Sequence, residues 1–142
     1  MSFPRKSRWH SARREALADT HVALWSATDP QRLAAPARAA IEDGANELSV
    51  NIVTVWEIAI KQSLGKLDLP APAEQWSPEV LRRTGFEVAA IGLAAALRVR
   101  ALPWHHRDPF DRLVIAHALE DGYTIITHDA ALATYGVPIL RA

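Results

Sequence analysis

The sequence predicts an α/β fold with a mainly parallel sheet, and three observations carry that expectation. Short apolar runs of strand length alternate with stretches of helical period along the chain. Gly and Pro fall singly between these segments, as they do where connections are short. The hydrophobic fraction of 49% and charged fraction of 23% over 142 residues are those of one ordinary globular domain that can bury a core.

The first expected strand, Glu15-Ala16-Leu17-Ala18, lacks the β-branched residues usual in a buried central strand and is placed there mainly by the residues after it. Asp29-Pro30 opens a helix expected to run to about Glu42, before Gly44. Glu47 to Val50 reads as the second strand. Asn51 then caps a helix from Ile52 to Leu64, with Gly65 ending it. Phe86 to Ile91 reads as the third strand, and Gly92 to Ala101 as an Ala- and Leu-rich helix offering packing or dimer surface. Asp108-Pro109 is a strong helix start, because an N-cap is followed by a proline whose missing N–H costs nothing there, and Gly122 closes that helix. Tyr123 to Thr127 and Val137 to Leu140 complete the strands.

Composition excludes several classes. There is no cysteine, so disulfides and thiolate metal sites are ruled out and any metal must bind oxygen or imidazole. The longest uncharged apolar run, Val88 to Leu97, is too short to cross a bilayer, and the expectation is a cytoplasmic protein with no membrane partner. Formal net charge is zero, but five of the 16 basic residues lie in the first 14 positions. Residues 1–14 therefore read as a basic extension and 15–142 as the folded domain. The remainder is acidic, so any contact with nucleic-acid phosphate has to be local.

Carboxylates stand where apolar residues belong. Glu57 interrupts a stripe formed by Val53, Ile60 and Leu64, and Asp111 shares a helical face with Val114, Ile115 and Ala118. An unpaired buried carboxylate costs several kcal/mol, so each acid implies a partner. The duller alternatives are a solvated face for Glu57 and dipole complementarity for Asp111. Asp19 and Asp129 follow expected strands, at the carboxyl edge where parallel sheets bind ligands, although either also suits a helix cap. Together the four acids come from separate elements and would repel unless a divalent cation sat among them. Oxygen donors without sulfur select Mg2+ or Mn2+.

The ordered set Asp19-Thr20-His21, Val55-Trp56-Glu57-Ile58-Ala59-Ile60-Lys61, Leu64-Gly65-Lys66-Leu67, His106-Arg107-Asp108-Pro109-Phe110-Asp111-Arg112 and Thr127-His128-Asp129 resembles a PIN domain of the VapC toxin type. The resemblance spans about residues 15 to 141 and implies a three-layer α/β/α fold with a 3-2-1-4-5 sheet. It implies a metal site of Asp19, Glu57, Asp111 and Asp129, with Asp108 either a further ligand or an N-cap and Thr127 a supporting hydroxyl. It also implies an endoribonuclease acting as the toxin of a toxin–antitoxin pair, a VapB-like antitoxin partner and a homodimer. Family members usually begin with a more aliphatic first strand than Glu15 to Ala18.

On this reading the ions orient a water for in-line attack on an RNA phosphodiester, with no covalent intermediate. Lys61, Arg107 and Arg112 flank the acids as candidate RNA contacts. Trp104, His105 and His106 precede them and suit either base stacking or, for Trp104, a core plug. Trp25, Trp56, Ile58 and Leu119 read as core, and His21 and His117 as hydrogen-bonded packing residues. The His105-His106 pair lacks the companion spacing of a zinc site. Two other readings are a PIN fold kept only for binding and a receiver-like phosphoacceptor. The second needs a lysine after a late strand, where this chain has His128-Asp129.

Overall fold

The computed structural model describes residues 15–142, so the basic segment 1–14 lies outside the described residues. Five parallel strands, β1 (Glu15–Ala18), β2 (Glu47–Asn51), β3 (Glu87–Ala89), β4 (Thr124–Thr127) and β5 (Ile139–Arg141), form one sheet in the order β3-β2-β1-β4-β5. This is the expected order. It also disposes of the receiver-like reading, whose sheet runs 2-1-3-4-5.

β1 is central despite its modest composition, pairing Ala16 with Leu48 on one side and with Thr124 on the other. Its alternation is what the two covering layers need. Leu17 points to the layer built by α6 (Pro109–Asp121), where it meets Val114, Ile115 and Ala118. Ala16 and Ala18 face the opposite layer, with Val22, Leu33, Ala37 and Phe86. Side chains of successive strand residues leave opposite faces, so the small alanines leave room for the helices on that side. The aliphatic bulk missing from β1 is supplied by Ile125 and Ile126 of the neighbouring β4, one to each layer.

The helix starts obey the expected chemistry. Asn51 caps α3 (Ile52–Ser63) by accepting from the Val53 N–H, and Asp108 caps α6 by accepting from the N–H groups of Phe110 and Asp111. Asp19 caps α1 (Thr20–Thr28), so the end of β1 and the start of α1 meet at one carboxylate. The segment from Asp29 does not form one helix. It makes a single tight turn at Pro30–Arg32, extends through Leu33 and Ala34, and restarts as α2 (Ala35–Glu42). Pro36 explains the break, since a helix running through it would lose a hydrogen bond and clash with the preceding turn.

α4 (Ala73–Thr84) has no counterpart among the expected elements. It buries Ala73, Trp76, Ser77 and Val80 at helical spacing, carries Pro78 in its interior, and ends on Gly85 at a positive φ of 78°. α5 (Leu93–Arg98) starts at Gly92 as expected and tightens over Val99–Ala101 before Pro103. Among the described residues no helix is long and apolar enough to cross a membrane.

Candidate metal centre

The parallel sheet delivers the four acids to one place. Asp19 follows β1, Asp129 lies just beyond β4, Glu57 comes from the second turn of α3 and Asp111 from the first turn of α6. All four line one groove at the carboxyl edge of the sheet, together with Asp108, Lys61 and Thr127.

Each acid is held by a specific contact. Asp19 uses Oδ1 to accept the Val22 N–H at 2.9 Å, which leaves Oδ2 to accept the Thr127 hydroxyl. Thr127 in turn accepts the Asp129 N–H at 3.0 Å, so this buried hydroxyl fixes two of the acids. Asp129 uses Oδ1 as a cap to Ala131, and its Oδ2 lies 3.1 Å from His106 Nε2. That hydrogen bond is the main reason its carboxyl titrates below the usual carboxylate range. Capping and groove-lining are thus not alternatives here, because the two oxygens of one carboxylate serve both.

Glu57 is only 5% exposed. Its Oε1 accepts the Thr20 hydroxyl at 2.6 Å and its Oε2 pairs with Lys61 Nζ at 2.6 Å, one helical turn on. Lys61 is therefore a built-in counter-charge as well as a candidate RNA contact. Its pKa is raised, first by its hydrogen bond to Glu57, with Asp108 and Asp111 adding to the effect. A bound divalent ion is thus not the sole device that makes the crowding tolerable, in contrast to the expectation from sequence.

Asp111 carries the strain of the arrangement. Desolvation, then the charges of Asp108, Glu57 and Asp19, push its carboxyl up to about 6. These carboxylates act on one another although they lie far apart in the chain. The donor set fits a hard cation, because carboxylate oxygens that raise one another's pKa are stabilised by divalent charge and no sulfur is present. Among the described residues, the group whose potential ligand atoms all lie within 4.8 Å of one another is a different one, namely Asp19, His21 and His128.

Several expectations need correction. Arg112 does not face substrate. It is 2% exposed, and its guanidinium donates to the carbonyls of Val99, Leu102, Pro103 and His106, pinning the loop before α6. With both terminal nitrogens committed to backbone carbonyls, this buried guanidinium is not presented to phosphate. Trp104 is no core plug, since it is 75% exposed with the Arg112 guanidinium 3.8 Å from its ring centre. Trp56 is 58% exposed and packs edge-on against Phe110, because its position on α3 faces away from the sheet. Ile58 is buried as expected, Leu119 partly so against the α6 layer, and Trp25 is half-buried.

His117 is the packing residue expected, buried between Asn51 Nδ2 at 2.8 Å and Asp121 at 3.1 Å. His21 is not; it is exposed beside His128. Arg107 is exposed and lines a shallow hollow with Trp104. Thr20 and His106 are positioning groups absent from the expected set. The signal for Thr20 is its place beside Asp19 at the head of a helix, whereas nothing in the sequence ties His106 to Asp129.

A strand-end carboxylate cluster on a 3-2-1-4-5 sheet already defines a class of protein. The sequence model of the PIN domain matches residues 16–137, and the chain belongs to that family. It is similar to Ribonuclease VapC22 of Mycobacterium tuberculosis (strain ATCC 25618 / H37Rv), at 34% identity over 125 residues that cover 86% of this chain and 92% of the relative. A shorter stretch of 74 residues is 36% identical to Ribonuclease VapC16 of the same organism, covering 49% of this chain and 52% of that one. Among solved structures, DNA-bound VapBC from Salmonella typhimurium superposes with a TM-score of 0.67 at 14% identity, covering 90% of this chain and 98% of that chain. VapBC-1 from nontypeable Haemophilus influenzae gives 0.65 at 17% identity, covering 89% and 97%. At these identities the structural likeness speaks for the fold.

Proposed function

We propose that this protein is a metal-dependent endoribonuclease of the VapC toxin type. The observation that carries the reading is the groove that Asp19, Glu57, Asp111 and Asp129 line and in which Asp111 is driven to a pKa of about 6. The resemblance to ribonucleases of that name supports RNA as the substrate class.

The four acids would hold Mg2+ or Mn2+, with Asp108 at the groove rim available as a further ligand. When bound, such an ion supplies an activated water and neutralises charge on a phosphodiester. The chain's own residues do the rest. Thr127 fixes Oδ2 of Asp19 and the backbone of Asp129. Thr20 and Lys61 hold the two oxygens of Glu57 in the groove. Lys61 in the groove and Arg107 in the separate hollow beside the exposed Trp104 ring are the candidate contacts for RNA phosphates, and that ring suits an unpaired base.

A VapB-like antitoxin is the expected partner, supported by the VapBC complexes among the structural neighbours; a homodimer is the assembly that the family resemblance implies. The test is incubation of purified protein with total RNA, with Mg2+ or with excess chelator, beside the Glu57→Gln variant. Fragments are expected with Mg2+ alone, and neither in chelator nor with the variant. Undiminished cleavage in chelator refutes the reading.

A further inference from the structure

We propose that Asp19, His21 and His128 form a second cation site, selective for a borderline-soft divalent ion such as Zn2+, in the part of the carboxylate groove that the two histidines line. Because β1 and β4 are neighbouring parallel strands, the residues just past their ends come together. Asp19 follows β1, His21 lies in the first turn of α1, and His128 follows β4 directly. One donor atom from each lies within 4.8 Å of the other two, and His128 Nδ1 stands 3.8 Å from Asp19 Oδ2. That separation is too long for a hydrogen bond but is of the order spanned by two ligands of one ion with metal–ligand bonds of about 2.0–2.1 Å.

The rings are also positioned. His21 meets His128 edge-on at 4.7 Å between centroids, and Trp25 lies 5.3 Å from His128 and 5.7 Å from His21. Tilted ring contacts with Trp25 account for a preferred ring orientation but not for a nitrogen of each imidazole lying near the same carboxylate. Both imidazoles are exposed, so an ion has access and water can complete the shell. Two imidazoles and one carboxylate favour Zn2+, Co2+ or Ni2+, whereas the all-oxygen set of the four acids favours Mg2+ or Mn2+. Since Asp19 belongs to both sets and the histidines line the same groove, an ion held by them competes for Asp19 with an ion held by the acids. Zn2+ therefore acts as an inhibitor of Mg2+-supported RNA cleavage, a consequence that rests on the nuclease reading, while the site itself does not.

The test is calorimetric titration of Zn2+ into tag-free protein, with Co2+ as a visible-absorption probe of the ligand field. One histidine-dependent Zn2+ per chain is expected, in addition to any Zn2+ that the carboxylates take up. The affinity of that histidine-dependent step should fall at least tenfold in His21→Gln and in His128→Gln and be lost in the double variant, while Glu79→Gln, at a surface ion pair, binds as the parent does. Unchanged Zn2+ affinity and an unchanged Co2+ spectrum in the double variant overturn the site. Loss of binding in the histidine variants sustains it even if no RNA is cleaved under any condition, which separates its fate from that of the nuclease reading.

Discussion

Replacing Asp111 by Asn should stabilise the metal-free protein, although it removes a residue the proposed chemistry needs. Burial and the charges of Asp108, Glu57 and Asp19 raise the Asp111 carboxyl from 3.8 to about 6. A carboxylate that is harder to ionise in the folded state than in the unfolded one destabilises the fold as pH rises from 3.8 through about 6 and keeps that effect above it. The rise corresponds to about 3 kcal/mol. Asn also forfeits the favourable placement of an anion in the first turn of α6, worth about 0.3–1 kcal/mol, which leaves a net gain of about 2 kcal/mol. For a chain of this length that is roughly 4–8 °C in Tm. Differential scanning calorimetry in chelator at about pH 8 should show the variant melting higher, with the gap closing as the pH approaches about 4. Mg2+ should reverse the order, because the ion binds the folded parent and stabilises it by mass action. A variant that melts at or below the parent in chelator at the higher pH would refute the claim that these acids repel one another.

Three further outcomes are expected. Lys61→Met leaves Glu57 buried with only Thr20 as a partner; urea denaturation in chelator should show a loss of about 2–4 kcal/mol that Mg2+ reduces, and a loss independent of metal would contradict the counter-charge role. Arg112→Lys cannot reproduce a planar fork reaching four carbonyls; a loss of about 2–3 kcal/mol in chemical denaturation is expected, whereas wild-type stability would show the fork to be dispensable. The His117 pKa is lowered chiefly by burial, with Asp121 opposing. The unfolded chain therefore takes up that proton first, so this contribution is complete above about 6.5 and is lost as pH falls below it. His117→Gln should flatten the pH dependence of the urea midpoint across that window, and an unchanged slope would argue against it.

The parts of the fold legible in the sequence are those written in local chemistry. Asn51, Asp108 and Gly122 mark helix ends by capping geometry that depends on a few neighbouring atoms, and each does so here. Asp19, Glu57, Asp111 and Asp129 stand out because an acid in an apolar pattern, or at a strand end, has to be accounted for wherever it occurs. The hidden parts depend on partners distant in the chain. β1 looks too weak for a central strand because its neighbours β2 and β4, and the alanines' fit beneath the helices, are not local properties. α4 is masked by Pro78, although Ala73, Trp76, Ser77 and Val80 carry its period. Arg112 looks like a phosphate contact by its place beside Asp111, and only the folded loop shows that four carbonyls claim its guanidinium. His21 looks like packing because its neighbour in space, His128, is remote from it in the sequence.

The central claim is that acids far apart in the chain converge to hold a divalent cation. Anomalous diffraction from crystals soaked in Mn2+ tests it directly. A peak is expected in the groove, bounded by the carboxylates of Asp19, Glu57, Asp111 and Asp129 and weakened or absent in Asp111→Asn. A groove that stays featureless at saturating Mn2+ would contradict it.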